Sequence, residues 1–180
     1  AALKDDDCAL PINSVDYDTN TGIVHSDFNS LIIGFGHTGQ EYFKFLYEFG
    51  AFIGSDKKKS PFKCYVIDEE MDKISGLIRT QMPEIEVDEL TLIKASVNSK
   101  QFWDQMATIM ADLNYVVISL NEDTLGLSVA VNLFKYALRY RSKDKKRLKI
   151  MLRCYHRNNE NRMSEVVDNL NNSAPNATVE

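Results

Sequence analysis

Three glycines, Gly34, Gly36 and Gly39, constrain this chain more than any other feature of its sequence. They follow an apolar run, Leu31 to Ile33, and precede a segment rich in helix formers and aromatic residues. The spacing G-x-G-x-x-G is typical of a turn that joins a buried strand to a helix. The first glycine permits the tight turn, the second lets a pyrophosphate approach the backbone, and the third lets the helix pack on the strand. The sequence therefore predicts a phosphate-binding turn, or a turn that keeps this shape and binds nothing.

Strand and helix patterns alternate after this turn. Apolar runs predict strands near residues 30–34, 62–67, 90–95, 115–120 and 148–152, and periodic apolar positions predict helices near 38–52, 69–81, 99–113, 123–140 and 159–171. Strands that alternate with helices form a parallel sheet covered on both faces. We therefore predict an α/β fold with a Rossmann-like, doubly wound parallel sheet of order 3-2-1-4-5. The sequence does not locate a sixth strand.

The regions outside this pattern divide the chain into three parts. We expect residues 1–27 to form an N-terminal extension with a small hairpin around the turn at 19–22. Residues 28–172 are the predicted nucleotide-binding domain, and residues 173–180 are expected to be a polar tail. We also expect the chain to be part of a larger protein.

The predicted topology places the ligand cleft where the strand order reverses, between the first and fourth strands. The expected phosphate loop comprises Gly34, Phe35, Gly36, His37, Thr38 and Gly39. Asp68 ends the second strand, where a carboxylate accepts hydrogen bonds from an adenosine ribose. The alternative is an ordinary acidic loop start, because Glu69 and Glu70 follow. A carboxylate at this place repels a 2′-phosphate, which favours NAD or NADH, or else ATP, ADP or AMP, over NADP.

Further contacts are expected in the turns after the third and fourth strands, from Ser96, Asn98, Ser119 and Asn121. The first two would lie on the adenine side, and the last two near a second ribose. Asp123 has two interpretations, a contact to the same ribose or a helix N-cap. His37 also has two, a hydrogen-bond donor to a phosphate or an exposed histidine without a role.

Catalytic chemistry has little support in the sequence. None of the three histidines has an obvious carboxylate partner, and there is no nucleophile elbow, metal-ligand cluster or phosphate loop with a lysine. We therefore expect no catalytic residues and no metal site, and binding is the favoured interpretation over an enzyme.

Charge and cysteine content restrict the partners and the compartment. The net charge of -5 argues against direct nucleic-acid binding, which needs a basic face. The three cysteines have no disulfide or metal spacing, which favours a reducing compartment. No apolar run reaches the roughly 18 residues of a membrane span. A cytoplasmic location is the expectation.

Three segments carry a family resemblance: SLIIGFGHTGQ at 30–40, YVID at 65–68 and YVVISL at 115–120. Over residues 28–155 the chain resembles the NAD-binding domain of potassium-uptake regulators of the Trk type and the related RCK domains. The resemblance implies a regulatory module whose nucleotide occupancy changes an assembly that a membrane transporter or channel senses. It also implies a homodimer or higher oligomer, held at the inner face of the membrane through that partner. Ala95-Ser96 departs from the Gly-Asp that this family usually has.

Three hypotheses follow from these patterns. The leading one is a nucleotide-sensing regulatory module similar to those that control potassium transport. The second is the cofactor-binding domain of an oxidoreductase whose substrate domain lies elsewhere. The third is a Rossmann scaffold that supports assembly and binds no nucleotide.

Overall fold

A computed structural model describes residues 10–81, 83, 85, 88–143, 145–173 and 177–179, without the side chains of residues 77, 79 and 81. Residues 1–9 of the predicted extension, and residues 174–176 and 180 of the predicted tail, lie outside this description. The strands are β1 (Phe28–Ile33), β2 (Phe62–Asp68), β3 (Leu90–Lys94), β4 (Tyr115–Ile118), β5 (Leu148–Leu152) and β6 (Ala177–Val179). The helices are α1 (His37–Phe49), α2 (Met71–Gln81), α3 (Lys100–Ile109), α4 (Asp123–Tyr140) and α5 (Glu160–Ser173). Short 3-10 turns occupy Pro11–Ser14 and Arg157–Asn159.

The six strands form one parallel sheet in the order β3-β2-β1-β4-β5-β6. This arrangement confirms the predicted Rossmann-like α/β fold and its order 3-2-1-4-5. The order reverses at β1, which lies between β2 and β4. At the carboxyl end of β1, Ile33 is in register with Ile67 on one side and with Ile118 on the other. The crevice expected at such a reversal therefore begins directly after Ile33.

Each face of the sheet is covered by a separate set of helices. Leu31 and Ile33 contribute to a core shared with α3, α4 and α5, whereas Ile32 packs in the core formed with α1 and α2. These β1 residues are at most 1% exposed, because a central parallel strand is covered on both faces. The glycine turn therefore leaves the sheet from a strand that is covered on both faces.

Strand β6 corrects the expectation of a polar tail over residues 173–180. Ala177 and Val179 are fully buried beside β5, and the side chain of Asn171 makes two hydrogen bonds to the backbone of Val179. Its Nδ2 donates to the Val179 carbonyl at 2.9 Å, and its Oδ1 accepts from the Val179 N–H at 2.8 Å. A strand of three residues is too short to show a periodic pattern, so the sequence did not reveal it.

Smaller elements follow the sequence closely. An antiparallel bridge joins Tyr17 to Val24, at the place where the hairpin of the N-terminal extension was expected. Helix α3 is shorter than predicted and begins after Ser99, whose hydroxyl accepts the N–H of Phe102 at 3.2 Å. In the described part of the chain, no helix is both long and apolar enough to span a membrane.

Candidate functional site

Gly34 and Gly39 hold the turn after β1 in a tight conformation. Gly34 has a φ of +86°, and a Cβ there would lie 2.5 Å from the carbonyl oxygen of Ser119. A Cβ on Gly39 would lie 2.2 Å from the carbonyl oxygen of Gly34. No larger residue fits either position without moving backbone, so both glycines are required by the packing of β1, β4 and α1. These contacts agree with the roles predicted for the first and third glycines.

Gly36 lies in a different environment. A Cβ there would have no heavy atom within 4 Å, because the residue faces open space. Gly36 is also the N-cap of α1, and it has no side chain with which to cap the helix. The first turn of α1 contains no acidic residue. The N–H groups of this turn and the positive end of the helix dipole are therefore free to meet an anion.

The other members of the loop divide between core and surface. The side chain of Phe35 is 1% exposed and packs edge-on against Phe43, with ring centroids 6.0 Å apart. The side chain of Phe35 therefore belongs to the core and does not reach a ligand. His37 is exposed and Thr38 is half-buried, and both begin α1 at the mouth of the turn.

Asp68 is drawn into the loop itself. Its Oδ2 accepts the backbone N–H of Phe35 at 2.7 Å, and its Oδ1 accepts the N–H of Glu70 at 2.7 Å. The carboxylate thus ties the glycine turn to the start of the β2–α2 connection. Each carboxylate oxygen has a second lone pair, so a ribose hydroxyl could still donate to it. The structure places Asp68 beside the loop and adds a structural role that the sequence did not indicate.

Four other predicted residues lie at the same carboxyl edge of the sheet. Ser119 contacts Gly34 through its carbonyl, and its N–H donates to Ile33 at 2.8 Å. The Ser119 side chain is buried, and among the described residues its hydroxyl has no hydrogen-bond partner. The turn after β3 is fixed internally, because the Ser96 carbonyl accepts both the N–H and the hydroxyl of Ser99. The remaining two residues, Asn98 and Asn121, are exposed.

Asp123 is neither a helix cap nor an open ribose ligand. It is the first residue of α4, whose N-cap is Glu122. Its buried carboxylate accepts the N–H groups of Tyr155 at 2.6 Å and His156 at 2.9 Å, and the Nδ2 of Asn159 at 2.9 Å. A ring nitrogen of His156, Nδ1, lies 3.2 Å from Oδ2. Asp123 therefore fastens the loop after β5 to the start of α4, which corrects the expectation of an N-cap.

The hydrogen bonds to Asp123 favour its charged form. Burial of the carboxylate opposes ionisation, but the donors from Asn159, Tyr155 and His156 outweigh it and hold the pKa of Asp123 at about 2. Close by, burial and the negative charges of Asp123 and Glu160 raise the pKa of the Cys154 thiol. Cys154 is thus a poor nucleophile at neutral pH.

Two residues at this edge were missed from the sequence. Gln40 donates from Nε2 to the carbonyl of Phe35 at 3.1 Å and so braces the glycine turn from inside α1. His156 is the other, and its N–H donates to Asp123 at 2.9 Å. The partners of Asp123 follow it by more than 30 positions in the sequence, so no local spacing signals them.

Metal and thiol chemistry find no support at this edge. Among the described residues, no group of three or more histidine, cysteine or acidic side chains is arranged to hold a metal ion. Cys64 is buried in β2, and burial raises its pKa to about 12. The groups on offer at the turn are N–H donors, hydroxyls and the half-buried carboxylate of Asp68, which suit the binding of a phosphate and a sugar.

The fold and the loop define the class of this protein as a Rossmann-like α/β domain with an open glycine turn at the strand-order reversal. Comparison with known families found no family model that matches the chain. No curated protein matches it significantly. The resemblance to Trk-type regulators stays a prediction.

Proposed function

We propose that this chain is a regulatory module that binds an adenine nucleotide, NAD or NADH or alternatively ATP, ADP or AMP, at the glycine turn. The observation that carries the proposal is the contrast among the three glycines. Gly34 and Gly39 are required by backbone packing, whereas the bare Gly36 faces open space at an uncapped helix N-terminus. Packing alone does not require a glycine at position 36. Close approach of a phosphate to the backbone does.

Asp68 supports the nature of the ligand. Its carboxylate accepts the N–H of Phe35, and it lies at the end of β2, where Rossmann folds bind the adenosine ribose. It favours a free 2′-hydroxyl over a 2′-phosphate because like charges repel.

The regulatory part of the proposal rests on the resemblance to Trk-type and RCK domains. In this proposal the nucleotide changes how copies of the chain assemble as a homodimer or higher oligomer. A potassium transporter or channel in the membrane then senses the change, with the chain on its cytoplasmic side.

Thermal unfolding with NAD, NADH, NADP, ATP, ADP and AMP tests the binding step. A nucleotide present at about 100 times its dissociation constant should stabilise the fold by roughly 2.7 kcal/mol. We expect NADP to give the smallest shift among the dinucleotides. If none of the six raises the melting temperature, the chain is a scaffold and the proposal fails.

Gly36→Val is the variant that locates the site. The added side chain meets no protein atom, so the fold should be kept while the approach of a phosphate is blocked. Gly76→Val is the matched control, because Gly76 in α2 also has nothing within 4 Å of its Cβ position. Loss of the nucleotide shift in Gly36→Val but not in Gly76→Val supports the proposed site. Equal shifts in both variants place the ligand elsewhere.

The assembly step needs a separate measurement. Sedimentation velocity with and without the nucleotide that binds reports the oligomeric state. A change in that state supports regulation. Binding without any change favours the cofactor domain of an oxidoreductase.

A further inference from the structure

A cavity lies at the amino edge of the sheet, opposite the glycine turn. Its volume is about 660 Å³, within the range typical of small-molecule sites. Its walls come from the N-terminal extension, the starts of β1 and β2, the end of α3 and the loop before β5. None of the residues named for the nucleotide site lines it.

The lining combines apolar and charged groups. Ile109 is buried, Tyr65 and Asn29 are half-buried, and Asp16 and Asp27 are exposed. Ile109 and Tyr65 offer an aliphatic side chain and an aromatic ring, and the two carboxylates are accessible to solvent. A ligand that matches both kinds of group has a charged end and an apolar end.

Several charged groups of the cavity are already bound within the protein. Lys145 pairs with Asp112 at 2.9 Å, and the Lys146 ammonium donates to the carbonyl of Val15 at 2.6 Å. The guanidinium of Arg141 is buried and donates to the carbonyls of Leu113 and Lys146. These groups shape the wall.

Three other charges keep their capacity to bind a ligand. Among the described residues, the carboxylates of Asp16 and Asp27 form no ion pair or side-chain hydrogen bond. The ammonium of Lys63 forms no ion pair there either, and it lies 5.0 Å from the centre of the Tyr65 ring.

The strand register places two of these opposite charges close together. Asn29 of β1 is in register with Lys63 of β2, and Asp27 lies directly before β1, two residues from Asn29. Strand spacing and rise put the Cα atoms of Asp27 and Lys63 about 8 Å apart. They are near enough for one small ligand to reach both, yet they do not pair with each other.

We propose that this cavity binds a free α-amino acid with an apolar side chain. Its ammonium group is held by Asp27, with Asp16 beside it, and its carboxylate by Lys63. Its side chain packs against Tyr65 and Ile109. A metal ion does not fit, because no set of three ligands is formed in the described part of the chain. A simple anion would be repelled by the exposed carboxylates of Asp16 and Asp27.

Isothermal titration of the protein with leucine and phenylalanine tests the proposal, with phenethylamine and 3-phenylpropanoate as analogues that each lack one charge. We expect at least one of the amino acids to bind, and both analogues to bind at least about tenfold more weakly. Absence of binding by both amino acids, or equal binding of an analogue, overturns the proposal. So does binding of inorganic phosphate in place of the amino acids.

Variants locate the site. Lys63→Met and Asp27→Asn should each weaken binding at least about tenfold, because each removes one charge from a solvent-accessible position. Lys57→Met is the matched control, since Lys57 is exposed and lies outside the cavity. Gly36→Val should leave amino-acid binding unchanged, which separates this proposal from the nucleotide site. Unchanged affinity in Lys63→Met would overturn it.

Discussion

Asp123→Asn removes the charge of a buried carboxylate that accepts several hydrogen bonds at the carboxyl edge of the sheet. At neutral pH the two carboxylate oxygens accept from Tyr155, His156 and Asn159. An asparagine keeps one of the two acceptor oxygens. Its NH2 group replaces the other oxygen and faces the N–H donors that this oxygen had accepted. Buried donors are then left without partners, which costs about 1–3 kcal/mol. We expect the free energy of unfolding at pH 7 to fall by about 2–3 kcal/mol.

The charge of Asp123 makes part of this stability depend on pH. Its pKa falls from 3.8 to about 2 on folding, which corresponds to at most about 2.4 kcal/mol. The neighbouring loop is exposed to solvent, so we expect about 1–2 kcal/mol in practice. Because the folded pKa is the lower one, this contribution is complete above about pH 4 and is lost as pH falls towards 2.

Both contributions, the cost of the unpaired donors and the pH-dependent effect of the charge, can be measured by urea unfolding of the wild type and Asp123→Asn. The measurement covers pH 2.5 to 7, roughly the window in which such a carboxylate titrates. The difference between the two proteins should shrink as the pH falls below about 4. Glu122→Gln is the control, because Glu122 is exposed and makes no capping hydrogen bond. Its effect should stay within about 0.5 kcal/mol. A difference for Asp123→Asn that is the same at every pH would refute the assignment of a buried ionised carboxylate.

Two further substitutions test the glycine turn. Gly34→Ala should lower the free energy of unfolding by at least about 2 kcal/mol, because of the positive φ and the contact with Ser119; Gly36→Ala, in open space, is its control in urea unfolding. Equal costs for the two would contradict the packing described. Ser119→Ala removes a hydroxyl without a partner in the described residues, so stability in the same assay should stay equal or rise by up to about 1 kcal/mol. If the free energy of unfolding falls by more than about 1 kcal/mol, the hydroxyl has a hydrogen-bond partner in the folded protein.

The sequence was sufficient for the fold because its strands are short apolar runs placed between amphipathic helices. Leu148–Leu152 was predicted with the bounds that the structure shows. Helix ends were less accurate: α2 begins at Met71, two residues later than predicted. Strand β6 escaped notice because Ala177–Val179 depends on tertiary pairing with β5 and on the side chain of Asn171.

The glycine turn could be located from the sequence because its geometry depends on neighbouring residues. The structural role of Asp68 could not, because its bond to the Phe35 N–H joins positions 33 residues apart. The same reason hides the partners of Asp123. From its sequence neighbours alone, a carboxylate at the start of a helix is predicted to be an N-cap. The donors from the loop after β5 that bind Asp123 instead are distant in sequence and are found only in the structure.

The fixation of Asp123 also bears on which nucleotide fits. On the side of the crevice where a dinucleotide places its second ribose, Asp123 is occupied by protein donors, and the other predicted contact, Asn121, is exposed in a bend. On the side proposed for the adenosine, the open Gly36 follows Phe35, whose N–H donates to Asp68. We therefore expect most of the binding free energy to come from the adenosine half, so that AMP and NAD have dissociation constants within about tenfold of each other. Titration calorimetry with both ligands measures this ratio, and a much tighter complex with NAD would show that the second half makes contacts beyond those at the glycine turn.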